Sequence, residues 1–230
     1  MAEKVTIGNC ELYLGDCMEV LPTLPQNSID LILTDPPYSS PTVHAFGRKV
    51  VKRLSDLAIQ EYYFTQLKKE FERVLKPNSP ILIFCDDIYF AVLTAIFYDW
   101  QQTNLIVWNK RKIGMGNPFR RQHELIFYAN RGSIELNQEQ TRYIPTIIDC
   151  AITKEYHGAE KPVSLLTTFI SGLTQKGDTV LDPFSGSSST GVACVKTGRN
   201  FIGIELEQEY FDISSKRLTN EYSAPSLFSF

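Results

Sequence analysis

No apolar run in the sequence approaches the roughly 18 residues that a membrane-spanning helix requires. The first residues, Met-Ala-Glu-Lys-Val-Thr, lack the basic-then-apolar pattern of a secretory signal, so a cytoplasmic protein without a membrane partner is expected. Cysteine is sparse. The five, at positions 10, 17, 85, 150 and 194, are scattered and form no Cys-x-x-Cys pair, which excludes a disulfide framework and a zinc knuckle and leaves them as buried apolar residues. His44, His123 and His157 are widely spaced and joined by no acidic cluster, so no metal is expected. Neither sign of charge dominates, the net being −3.

What is present is an ordinary globular composition, 43% hydrophobic and 21% charged over 230 residues. A compact chain of this size buries about 70–75% of its unfolded surface. It suits one full-sized domain and is too short for two large ones. The charge is unevenly placed. Between Trp108 and Arg131 stand six basic residues and one acid, a local +5 that leaves the remainder at −8. A basic face on an acidic body is the pattern of a steered contact with a polyanion, although a solvated loop gives the same count.

Short β-branched runs alternate with helical patterns, the signature of a mostly parallel α/β sheet. Seven strands are predicted, at Glu11–Leu14, Ile29–Thr34, Ile81–Cys85, Asn104–Trp108, Glu124–Tyr128, Thr179–Leu181 and Phe201–Ile204. Helices are predicted at Glu61–Leu75, Asp87–Tyr98, Lys161–Thr174, Ser189–Lys196 and Glu207–Asn220, with Pro77, Gly177 and Gly198 as stops. A loop, not a helix, joins the strands at Asn104 and Glu124, so one strand at that end is expected to run antiparallel. Residues 39–55, 110–122 and 130–160 read as long irregular segments.

The strand at Asp30–Thr34 runs into Asp35-Pro36-Pro37-Tyr38, and two prolines cannot continue a ladder. Asp35 and Tyr38 are therefore expected at the carboxyl edge, where α/β sheets bind ligands. A second strand, Thr179–Leu181, runs into Asp182-Pro183-Phe184-Ser185-Gly186 and then Ser187-Ser188-Ser189-Thr190-Gly191, with Glu205 ending the next strand. Backbone N–H groups at a helix start suit an anionic group, and a carboxylate one strand on suits ribose hydroxyls. A dinucleotide or nucleoside triphosphate would fit the same logic. The spacing is not Gly-x-Gly-x-x-Gly, however, and Val192-Ala193 follow Gly191 where a phosphate-binding loop needs Lys and Ser or Thr. A ligand with a carboxylate and an adenosine but no pyrophosphate matches better.

Together these motifs resemble the S-adenosyl-L-methionine-dependent amino-methyltransferases of DNA, in the permuted β group where the Asp-Pro-Pro-Tyr half precedes the cofactor half. The resemblance spans residues 10–220 and includes Leu14-Gly15-Asp16-Cys17, Arg121-x-His123-Glu124 and His157-x-x-x-Lys161-Pro162. Two features depart from the pattern: Ser187-Ser188-Ser189 in the loop, and a segment from 131 to 156 that is short for a separate recognition domain. The resemblance implies a single Rossmann-like methyltransferase domain over 1–230. Its catalytic half would be about 10–130, a recognition or linker segment 131–156 and a cofactor half 157–220.

It further implies that Asp35 and the Pro36 carbonyl accept the N–H groups of an exocyclic amine, beside Pro37, and that Tyr38 stacks on an extruded base. Phe184, Gly186, Ser188 and Thr190 would surround the cofactor's methionine end, and Asp182, Pro183 and Ser185 are cofactor-binding residues by the same resemblance. Glu205 would take the ribose hydroxyls, Asp16 the adenine amine, and Lys161 would neighbour the methionyl carboxylate. An initial Asp in the tetrapeptide points to adenine N6; cytosine N4, an RNA amine, or a catalytically silent DNA-binding relative are the alternatives. Charge and position assign the double-stranded DNA contacts to Arg48, Lys49, Lys52, Arg53, Lys110, Arg111, Lys112, Arg120 and Arg121. A homodimer and a cognate restriction enzyme are the further partners the resemblance implies.

Overall fold

The computed structural model describes residues 2–37, 42–45, 48–51, 57–114, 118–132, 144–152 and 160–223. In chain order the elements are β1 (Glu3–Ile7), β2 (Cys10–Leu14), α1 (Cys17–Val20), β3 (Leu31–Thr34), β4 (Thr42–Ala45), β5 (Arg48–Val51), α2 (Leu57–Val74), β6 (Pro80–Cys85), α3 (Asp87–Ile96), β7 (Gln102–Asn109), β8 (His123–Asn130), β9 (Ile147–Asp149), α4 (Val163–Leu173), β10 (Thr179–Asp182), α5 (Ser189–Thr197), β11 (Asn200–Glu205) and α6 (Gln208–Ser223). One sheet carries nine strands in the order β1-β2-β11-β10-β3-β6-β8-β7-β9. The pairs from β2 through β6 are parallel, while β8 runs antiparallel to both β6 and β7, as the loop connection predicts.

The centre of the sheet is buried on both faces, so β3 and β6 read as unbroken apolar runs. Successive side chains serve opposite cores. Ile32, Ile81 and Ile83 pack with Phe64, Leu67, Phe71 and Leu93 of α2 and α3. Leu31, Leu33, Leu82 and Phe84 pack on the other face with Leu166, Phe169, Val192 and Leu218 of α4, α5 and α6.

The predicted count of seven strands is corrected to nine in this sheet. The additional two are its edges. β1 buries no residue fully and closes on β2 through Gly8-Asn9, where Gly8 adopts φ +57° as a tight hairpin turn demands. β9 is three residues long and pairs only with β7. Both are too short, or too exposed, to stand out as apolar runs. The predicted irregular segment 39–55 contains a hairpin, β4 with β5, in register from Thr42 opposite Val51 to Ala45 opposite Arg48. Gly198 ends α5 as predicted, at φ +72°, its N–H meeting the carbonyls of Cys194 and Val195.

Candidate active site at the carboxyl edge

Parallel pairing brings the carboxyl ends of β2, β11, β10, β3 and β6 to one edge, and with them Asp16, Glu205, Asp182 and Asp35. Antiparallel β8 begins at this edge and β7 ends there, so Glu124 and Lys110 join the group. The connections diverge between β10 and β3: α2 leads from β3 to β6, and α5 leads from β10 to β11. A crevice opens at such a switch point. Across it the Thr34 hydroxyl donates to Asp182 Oδ1 at 2.7 Å, tying the two motif-bearing turns together.

Asp35 follows β3 with Pro36 buried and Pro37 exposed behind it. Its Oδ2 accepts from the Lys161 ammonium. That ammonium also lies 3.4 Å from Glu124 Oε1 and 5.1 Å from the centre of the Phe84 ring. Glu124 Oε2 in turn faces Lys110 Nζ at 3.9 Å. Burial favours the neutral amine of Lys161, but the two carboxylates outweigh it and hold the pKa above the usual lysine range. Lys161 is thus a buried permanent cation against Asp35, a partnership absent from the sequence reading, which set it beside a methionyl carboxylate. The pairing favours the ionised form of Asp35, which can then only accept hydrogen bonds.

On the other side of the switch point the turn after β10 is built from its own hydrogen bonds. Asp182 Oδ1 also accepts from Phe184 N at 3.1 Å, and Oδ2 accepts from the Thr190 hydroxyl at 2.8 Å. Burial pushes the Asp182 carboxyl up to about 6, against these donors and with Asp35 adding repulsion. Ser188, fully buried and left-handed at φ 56°, shares a 2.7 Å hydrogen bond with Ser185. Asp182, Ser185, Ser188 and Thr190 therefore shape the turn through contacts inside the protein. Gly186 is left-handed too, at φ +52°, and a Cβ there would meet nothing within 4 Å. It presents bare backbone to open space.

Glu205 Oε2 accepts from Gly186 N at 2.8 Å and Oε1 from Glu207 N at 2.9 Å. A carboxylate has about four acceptor positions, so Glu205 keeps acceptor capacity for a ligand hydroxyl. Burial raises its pKa, opposed by the backbone N–H groups of Glu207 and Gly186. Asp16 Oδ1 caps α1 through Met18 N at 2.8 Å, and Gly15 N binds the Glu205 carbonyl at 2.8 Å. The half-buried Phe184 ring faces Tyr63 of α2 at 6.5 Å, and the Tyr63 hydroxyl meets Cys17 Sγ at 3.3 Å. Acceptors for hydroxyls and an amine, an aromatic wall and an open glycine backbone fit an adenosine-bearing cofactor.

Sequence reasoning missed Tyr63, and also a buried pair. Arg217 Nη2 lies 2.5 Å from Glu160 Oε1, with side chains only 7% and 2% exposed. Arg217 Nη1 donates to the Ser187 carbonyl at 3.0 Å and to Ser189 Oγ at 3.1 Å. This pair joins α6, the cofactor turn and the residue preceding Lys161. The signal available was a charged residue at 217 at helical spacing from Phe211, Ser214 and Leu218, on the face that the helix buries.

Of the basic residues assigned to DNA, Arg111 and Arg121 stand well exposed at the edge, near Asp149 (3.6 Å) and Asp87 (2.6 Å) respectively. Lys112 is exposed beside them. Arg120 Nε donates to the Gly114 carbonyl at 2.9 Å. Lys110 turns inward to Glu124. Arg48 and Lys49 fall in β5. Tyr38, Lys52 and Arg53 lie outside the described residues, as does most of segment 131–156.

The sheet order, the switch point and the two turns define a Rossmann-like methyltransferase fold with its motifs permuted. The cytosine-N4-specific PvuII DNA methyltransferase shares the fold at TM-score 0.77, 19% identical, covering 94% of this chain and 92% of that one. So does M1.HpyAVI in its SAM complex, at TM-score 0.69 and 24% identity over 91% and 98%. The type II methyltransferase M.HinfI of Haemophilus influenzae is 32% identical, over 89% of this chain and 67% of its own length. The N6/N4 DNA methylase family model matches residues 29–216, and the chain belongs to that family. It is a DNA methyltransferase.

Proposed function

We propose that the chain transfers a methyl group from S-adenosyl-L-methionine to N6 of adenine at specific sites in duplex DNA. The observation that carries this reading is Asp35 at the switch point, paired with buried Lys161 and tied through Thr34 and Asp182 to the cofactor turn. Bound S-adenosylmethionine supplies a sulfonium-activated methyl, and Gly186, Phe184, Asp16 and Glu205 would hold it.

An aromatic amine attacks poorly because its lone pair is delocalised into the ring. Asp35, kept an acceptor by Lys161, takes one amine N–H and the Pro36 carbonyl takes the other, directing the lone pair out of the ring plane. The turns fix these acceptors before substrate arrives, so little reorganisation accompanies the reaction. The target must leave the duplex to reach this edge. Tyr38 retains its expected role as the stacking surface.

An Asp in the first position of the tetrapeptide supports adenine over cytosine. The basic loop supports DNA contact, and the whole chain is read as one domain acting in the cytoplasm, where a DNA substrate would be met. The type II designation of M.HinfI supports a cognate restriction enzyme, and a homodimer belongs to the same reading. The test is to methylate unmodified duplex DNA with labelled cofactor, digest it and separate the nucleosides. Label in N6-methyl-2'-deoxyadenosine supports the reading; label in N4-methyl-2'-deoxycytidine replaces it.

A further inference from the structure

Beyond its basic charge, the loop between β7 and β8 exposes two large apolar side chains among its described residues. Phe119 is 88% exposed and Ile113 55%. The loop continues the β7–β8 ladder past the sheet: Lys110 N donates to Gln122 O at 3.0 Å, and Gly114 N to Arg121 O at 2.7 Å. The Arg120 side chain adds its bond to the Gly114 carbonyl. Arg111, Lys112 and Arg121 lie exposed around it. A single exposed apolar residue is unremarkable on a protein surface. Here an aromatic ring is set on a hydrogen-bonded, cationic projection that leads back to the active site. Glu124 follows Phe119 by five positions, a reach of at most about 18 Å, and Glu124 shares Lys161 with Asp35.

Lysine and arginine bind phosphates, but a phenylalanine gains nothing from them. Its complement in duplex DNA is the face of a base, and apolar side chains that enter a duplex do so between base steps. We propose that Phe119 is a wedge: its ring inserts into the DNA stack beside the target and occupies the gap left when the base swings toward Asp35. Arg111, Lys112 and Arg121 hold the flanking phosphates, and Ile113 supports the wedge. The wedge deepens the proposed function and rests on duplex DNA being the substrate.

The wild-type enzyme first defines its target by sequencing of methylated plasmid DNA. A duplex carrying 2-aminopurine at the target position then reports extrusion by fluorescence. Phe119→Ala is expected to lose most of the fluorescence gain and roughly tenfold or more in kcat/KM for DNA. S-adenosylmethionine binding by calorimetry and Tm should stay at wild-type values, and Phe119→Trp should retain activity. Mispairing the target lowers the unpairing cost, so it should restore much of the Phe119→Ala rate. Wild-type fluorescence and kcat/KM in Phe119→Ala, or an equal loss on paired and mispaired DNA, would overturn the wedge. Absence of transfer to DNA by the wild type would overturn the substrate reading beneath it.

Discussion

Lys161 reaches Asp35 from the far half of the sequence, and its charge is the nearest means of keeping that carboxylate an acceptor. Lys161→Met would leave Asp35 and Glu124 facing each other across an apolar side chain, and protonation relieves such repulsion. The acid limb of the kcat profile should therefore move to higher pH; an unshifted limb would show that Lys161 does not hold Asp35 ionised. Asp182 carries a separate pH signature. Its carboxyl is raised by burial to about 6, above its unfolded value of 3.8. The stability that protonation contributes is full below about pH 4 and is lost as pH rises through about 6. At about 1.4 kcal/mol per unit the loss is on the order of 3 kcal/mol. Denaturant unfolding at pH 4 and pH 7 should show this loss in the wild type and not in Asp182→Asn.

At the scale of elements, the turn before α5 is held from outside by Arg217. Arg217→Ala would strand Glu160 in the interior, which costs roughly 3–5 kcal/mol. The turn and the Lys161 segment should loosen together, raising KM for S-adenosylmethionine and lowering kcat. Arg217→Met with Glu160→Leu removes both charges and should recover most of the stability but not the kinetics. Recovery of kcat as well would reduce the pair to a fold support. Neither residue was legible as functional, because an Arg beside an apolar stripe and a Glu before a helix are individually ordinary. By contrast the two turns were readable: proline pairs and small residues after apolar strands leave the backbone few alternatives.

For the whole molecule, the central strands were legible because burial on both faces makes them continuous apolar runs. The edges β1 and β9 were not, since one face meets solvent and the pairing partner alone decides them. Convergence of Asp16, Asp35, Glu124, Lys161 and Glu205 could not be read from spacing, because sheet order brings together residues from both ends of the chain. Their roles then follow from one proposition, that Asp35 is the acceptor for the amine being methylated. The most direct test follows labelled methyl transfer from S-adenosylmethionine to unmodified duplex DNA by wild type and Asp35→Ala, with cofactor binding measured on both by calorimetry. Transfer abolished in the variant with binding near the wild-type value is the predicted result. Transfer persisting in Asp35→Ala at a comparable rate would contradict the account.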